Sequence, residues 1–156
     1  MNALNSFLIA LLYVGITSVI STINVDTTSE WYICIKPDSM PDPKVFSIVW
    51  SLLYIIFLYI LTVLLINFQK SKIAIIVLLI LLSLCSVWVI LYFGLKQANA
   101  SLACIISILI FAIYFTFLLS KNRLGISPAL MTPFLVWISF AIYLNYESYQ
   151  KDVECE

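Results

Sequence analysis

The sequence predicts an all-α membrane protein: a five-transmembrane-helix bundle with a long structured first loop. Two observations carry this prediction. Of the 156 residues, 63% are hydrophobic and 10% are charged, whereas a soluble domain has about a quarter charged residues and under half apolar ones. Five stretches also reach the ~20 apolar residues that a bilayer-crossing helix needs. They run over about 3–23, 45–66, 73–95, 100–119 and 129–146 and form one domain. The net charge is zero and the chain has no histidine. The first fact gives nucleic acid no reason to bind. The second removes the commonest metal ligand and the usual neutral-pH proton shuttle, so neither a metal site nor a resident cofactor is predicted.

The first span carries no charge and lacks the basic start and small-x-small cleavage site of a signal peptide. It reads as a retained helix, with Gly15, Ser18, Ser21 and Thr22 allowing close approach of a neighbour. The loop 24–44 is the longest polar stretch. Within it, Lys36-Pro37 forces an extended step, because proline disfavours the helical region for the residue before it. Asp42-Pro43 reads as a helix start, with Asp42 capping free amides and Pro43 in the first turn.

A six-residue turn with Lys70 and Lys72 is expected to lead to the third span. Gly94, Lys96, Gln97 and Asn99 mark a tight reversal into the fourth, which ends at Lys121-Asn122-Arg123. Gly125 and Pro128 lead into the fifth, with Pro133 near its start. An acidic tail is expected to close the chain. Every acidic residue falls in the first loop or after the fifth span, so all lie on one membrane side. Orientation follows lysine and arginine. Lys70, Lys72, Lys121 and Arg123 lie on one side, against Lys36, Lys44, Lys96 and Lys151 on the other. The first set is denser in short loops and points towards a cytoplasmic N-terminus.

The cysteines Cys34, Cys85, Cys104 and Cys155 show neither CxxC pairing nor zinc-ligand spacing. Cys85 and Cys104 fall inside apolar spans, where a free thiol behaves as a small hydrophobe. Cys34 and Cys155 fall on the same membrane side, where a disulfide between them is possible, but the reading favours leaving them free.

No Asp, Glu, Lys or Arg sits in the middle of a span. Ion paths and proton-coupled transport usually need one, and acid–base catalysis needs a titratable group at the reaction centre. What remains is aromatic. Phe46, Trp50 and Tyr54, four residues apart, share one face of the second span. Leu81, Cys85, Trp88 and Tyr92 form a stripe in the third, and Cys104, Ser107, Phe111 and Phe115 one in the fourth. Trp137, Phe140, Ala141, Leu144 and Asn145 follow in the fifth. Two readings stand. The stripes are helix packing with interfacial anchors, or they line one cavity whose tryptophan N–H groups need partners. A flat hydrophobic ligand suits such walls, with Ala141 leaving room beside Trp137.

At this point the residues resemble a known family. Trp31-Tyr32, Lys36-Pro37, Pro41, Val45-Phe46, Val49-Trp50 and Leu53-Tyr54 resemble the first loop and second helix of the TspO/MBR family, the translocator proteins. Trp88 with Tyr92-Phe93-Gly94 is similar to its third-helix W-S-x-x-F-F-G. Pro133 to Trp137, Phe140-Ala141 and Leu144-Asn145 are similar to its fifth-helix P-Y-x-x-W-x-x-F-A-x-x-L-N.

The resemblance implies a five-helix bundle, often a homodimer, whose first loop acts as a lid. It implies a receptor or carrier for porphyrins such as protoporphyrin IX and for benzodiazepine-type synthetic ligands. Sterols are implied for mitochondrial forms. Carried over by motif, the ligand-binding positions are Trp31, Phe46, Trp50, Tyr54, Trp88, Trp137 and Ala141, joined by Cys85 and Cys104 from the stripes. Some members are reported to degrade protoporphyrin in light, which makes Trp50 and Trp137 the candidate catalytic residues. A non-ligand scaffold is the third alternative. The membrane implied is a bacterial inner membrane for a prokaryote, or the mitochondrial outer membrane for a eukaryote. This chain departs from the pattern where polar groups usually orient a ligand: Cys85 and Leu81 stand there. Leu144-Asn145-Tyr146 through Lys151 fits the loose cholesterol pattern.

Overall fold

The computed structural model describes residues 2–121 and 125–155. Its membrane helices are α1 (Ala3–Ile23), α3 (Pro43–Ile66), α4 (Phe68–Val89), α5 (Ala98–Lys121) and α6 (Thr132–Cys155), with a short helix α2 (Glu30–Ile35) in the first loop. All five long helices are long and apolar enough to cross a membrane. Their outward faces carry exposed Leu12, Ile48, Ile55, Ile110 and Val136, as a lipid-facing surface requires.

Local chemistry sets the helix starts. Asn2 accepts from the Asn5 amide at 2.8 Å to cap α1, and Ser29 accepts from the Tyr32 amide to cap α2. Asp42 accepts from the Lys44 amide at 2.8 Å with Pro43 behind it, the predicted cap of α3. Pro133 falls in the first turn of α6, behind a 3₁₀ turn over Pro128–Met131. There its missing N–H breaks no interior bond.

Three expectations are corrected. The six-residue turn is a single residue, Asn67, and Lys70 and Lys72 already belong to α4. The Asn67 side chain donates to the Val63 carbonyl at 3.0 Å, and Ser71 Oγ reaches the Leu64 and Asn67 carbonyls at 2.7 Å. Carbonyls freed at the break are thereby satisfied without a loop. The acidic tail is helical and continues α6 to Cys155. Finally, Cys34 and Cys155 are not free: they form a disulfide across a Cα separation of 6.4 Å. Two unpredicted elements, α2 and the extension of α6, bring them together, and a sequence separation of 121 hides that proximity. Cys85 and Cys104 are buried free thiols. Asn122 and Arg123, part of the expected end of the fourth span, lie outside the described residues.

Helix α5 packs on α4 and α6, while α1 packs on α3 and α4. Away from the first loop the interior is filled by Leu64, Leu78, Ile108, Ala112, Phe115 and Phe134, all fully buried. Helix α1 is joined to α4 by polar contacts that suit a medium without water. Tyr13 Oη meets the Leu79 carbonyl at 2.8 Å and Ser83 Oγ at 2.7 Å, and Ser86 Oγ donates to the Thr17 carbonyl at 3.2 Å. Helix α4 ends in a wide π-type turn over Ile90–Gly94, closed by the Leu95 amide on the Ile90 carbonyl at 2.8 Å. Lys96 completes the reversal in the left-handed region, at φ 55°.

Candidate ligand-binding site

Beneath the first loop the bundle is hollow. A cavity of about 560 Å³ lies between α1 and α3 on one side and α4 and α6 on the other, roofed by Tyr32, Met40 and Pro41. Its wall is buried on α4 and α6 and half-buried at Trp50 and Tyr54, whereas Thr22, Val25, Pro43, Ser47 and Ser51 are exposed. The mouth therefore lies where the end of α1 faces the start of α3.

Aromatic rings form the inner wall. Trp50 of α3 stacks on Trp88 of α4 with centroids 6.4 Å apart and planes 24° apart. Trp88 stacks in turn on Tyr92 at 6.0 Å, and Tyr54 lies 5.8 Å from Trp50. Polar edges fix two of these rings to α6. The Trp88 N–H donates to Asn145 Oδ1 at 3.2 Å, and the Tyr92 hydroxyl shares a 2.7 Å bond with Ser148 Oγ. Asn145 is itself held, accepting from Ser101 Oγ at 3.1 Å and donating to the Ala141 carbonyl at 3.1 Å. A buried polar residue so fully partnered serves as an anchor for the wall rather than a loose contact.

The roof is tied down from α6. The Trp31 N–H donates to Asp152 Oδ1 at 2.7 Å. Lys151 Nζ donates to the Lys36 carbonyl at 3.0 Å and pairs with Asp38 at 3.3 Å, while Ser39 donates to Glu147. Tyr32 packs between Tyr92 and Phe93, at 6.4 and 5.5 Å, and burial raises its phenol pKa, so it stays neutral. At the α1–α2 turn, the Thr28 hydroxyl and amide bond Asp26 and hold its carboxyl below the usual range.

Of the residues singled out in the sequence, Phe46, Trp50, Tyr54, Cys85, Trp88 and Ala141 line this one cavity. Trp31, Cys104 and Trp137 are not among its lining residues. Trp31 braces the roof, its ring 5.6 Å from Tyr92. Cys104 faces the α4–α5 seam, its thiol 3.6 Å from the Leu84 carbonyl. Trp137 stands behind Phe46 at 5.0 Å on the α3–α6 seam, with its Nε1 buried and unpartnered among the described residues. Leu81, flagged beside Cys85, is fully buried in the core.

The site list drawn from sequence lacked Tyr92, Phe93, Leu144 and Asn145, although Tyr92, Leu144 and Asn145 sat on stripes already noted. It also lacked Ser18, Ser21 and Thr22, which line the cavity from α1. Their spacing of three and four is that of one helical face, a signal that fits a cavity wall as well as helix packing.

Among the described residues the lining carries aromatic rings, hydroxyls, the Cys85 thiol and the Asn145 amide, groups that can stack on a ligand and hydrogen-bond it. Fold and site together define an all-α integral membrane protein with an aromatic cavity under its first loop. The chain matches the TspO/MBR family over residues 6–150 and belongs to that family. No curated protein matches it.

Proposed function

We propose that the protein is a membrane receptor or carrier for a planar, largely apolar ligand. A porphyrin such as protoporphyrin IX is the first candidate, and benzodiazepine-type synthetic ligands would compete for the same cavity. The observation that carries this reading is the stack of Trp50, Trp88 and Tyr92 along a cavity of about 560 Å³. That volume lies within the roughly 300–1,000 Å³ of small-molecule pockets. Ring faces attract flat π-systems in offset or edge-on arrangements, and family membership supports the ligand class. Homodimeric assembly belongs to the same reading and rests on the family. The Cys34–Cys155 bond favours an oxidising, non-cytosolic compartment for the first loop. That agrees with the cytoplasmic N-terminus to which the lysines point.

Titration of protoporphyrin IX into the solubilised protein should quench tryptophan fluorescence saturably. Trp50→Ala should weaken binding by about two- to tenfold, the worth of one aromatic pair. Trp137→Phe, outside the lining, should change it less. Unaltered affinity in the Trp50→Ala/Trp137→Phe double variant would sink the site.

A further inference from the structure

The two walls of the cavity differ in chemistry. Facing the rings is a strip of hydroxyls, Ser18, Ser21 and Thr22 on α1 and Ser51 on α3. Each bonds back to its own helix, and Ser21 Oγ also lies 3.4 Å from Ser86 Oγ of α4. Ser18 Oγ donates to the Gly15 carbonyl, Ser21 Oγ to Thr17 and Thr22 Oγ1 to Ser18, all at 2.9 Å, and Ser51 Oγ donates to Ser47 at 2.7 Å. A hydroxyl bonded back to its own helix retains lone pairs and acts towards its other side as an acceptor. Tyr54 is spent as well, donating to Ser21 Oγ at 3.3 Å. On the inner wall the Trp88 N–H is taken by Asn145, and an Asn145 N–H by the Ala141 carbonyl; the lining hydroxyls without an acceptor among the described residues, Thr27, Tyr32 and Ser47, belong to the loop, the roof and the mouth rather than to the α1 strip. Among the described residues no lysine or arginine lines the cavity, and the sequence has no histidine.

We propose that this acceptor strip sets the polarity of the ligand. The cavity selects a flat, uncharged aromatic molecule with an N–H or O–H donor on one edge. The ring lies against Trp50 and Trp88, and the donor meets the hydroxyls of α1. The proposal rests on the reading of the cavity as a ligand site and adds to it which chemistry is favoured. A ligand without a donor covers the lone pairs of half-buried Ser18 and Ser21 without meeting them, and that mismatch is penalised. A carboxylate has no cation to meet inside, and burying it unpaired is costly. The acid groups of a porphyrin would accordingly stay outside the mouth, in water.

The test uses carbazole and dibenzofuran, flat tricyclic molecules of nearly one shape that carry a ring N–H and a ring oxygen respectively. Affinities are read by equilibrium dialysis of protein-loaded nanodiscs against empty ones, which removes partition into lipid. Carbazole should bind about five- to tenfold more tightly, the ratio expected of one neutral hydrogen bond. Combining Ser18→Ala, Ser21→Ala and Thr22→Val should bring the ratio to about one by weakening carbazole alone. Equal affinities in the unaltered protein, or a carbazole advantage that survives the triple variant, overturn the acceptor strip while the aromatic site stands. Absence of saturable binding by either molecule removes the aromatic site and this proposal with it. If the triple variant also loses dibenzofuran, Ser18→Ala and Thr22→Val are read singly, since they keep the Tyr54–Ser21 bond and decide the same ratio.

Discussion

The two ends of the bundle are held together by different means. At the end away from the first loop, Leu64, Ile108, Ala112, Phe115 and Phe134 fill the space between helices, and a single residue joins α3 to α4. At the first-loop end a cavity of about 560 Å³ replaces that filling. There the parts are joined by long-range ties: the disulfide, the Trp31–Asp152 bond, and the Lys151 contacts with Lys36 and Asp38. A hollow end forfeits the dispersion contacts of a close-packed interior. Directional bonds between the roof and α6 offset part of that loss. One end is stabilised by volume, the other by connections.

Truncation experiments can break this contrast, and the largest effect should come from the packed end. Phe115 is fully buried, so Phe115→Ala should cost about 3–5 kcal/mol of stability, read as the unfolding midpoint in detergent. Trp50→Ala, which mostly enlarges an existing cavity, should cost less than half as much by the same assay. Equal losses would show that the hollow end is packed after all.

Next in size is the covalent tie. Cys34→Ser should lower stability by about 2–4 kcal/mol, since a disulfide chiefly restricts the unfolded chain. Reductant added to the unaltered protein should reproduce the shift and leave the variant unmoved. A variant as stable as the parent would mean that the hydrogen bonds alone secure the roof.

The smallest change concerns the α4–α5 reversal. Lys96 holds φ 55°, a conformation that costs a non-glycine residue about 1 kcal/mol. Lys96→Gly should therefore raise the midpoint slightly, by a few tenths to about 1 kcal/mol. A fall would indicate that the lysine side chain contributes more than its backbone strain removes.

Much of this architecture is written locally. Hydrophobic length located the five helices, and Asp42-Pro43 located the cap of α3. The four-residue spacing of Phe46, Trp50 and Tyr54 placed all three on the cavity wall. The helix α2, the helical tail and the disulfide depend on each other across the whole chain, so no window of sequence contains them. Trp137 shows the limit of periodicity. It lies one turn from Ala141, which lines the cavity, yet Phe46 of α3 covers it. Spacing tells which face a residue occupies, and only the neighbouring helix decides whether that face looks into space or onto a ring.

The Cys34–Cys155 bond also closes the chain on itself. The covalent ring runs from α2 through α3, α4, α5 and α6, and α1 is the one long helix outside it. A single cut between α5 and α6 would leave the four ringed helices in one piece on a non-reducing gel. Helix α1, by contrast, is a pendant arm, fastened by its linker and by side-to-side contacts. Only non-covalent contacts and one linker hold it to the ringed helices, and it carries the hydroxyls of the cavity's outer wall.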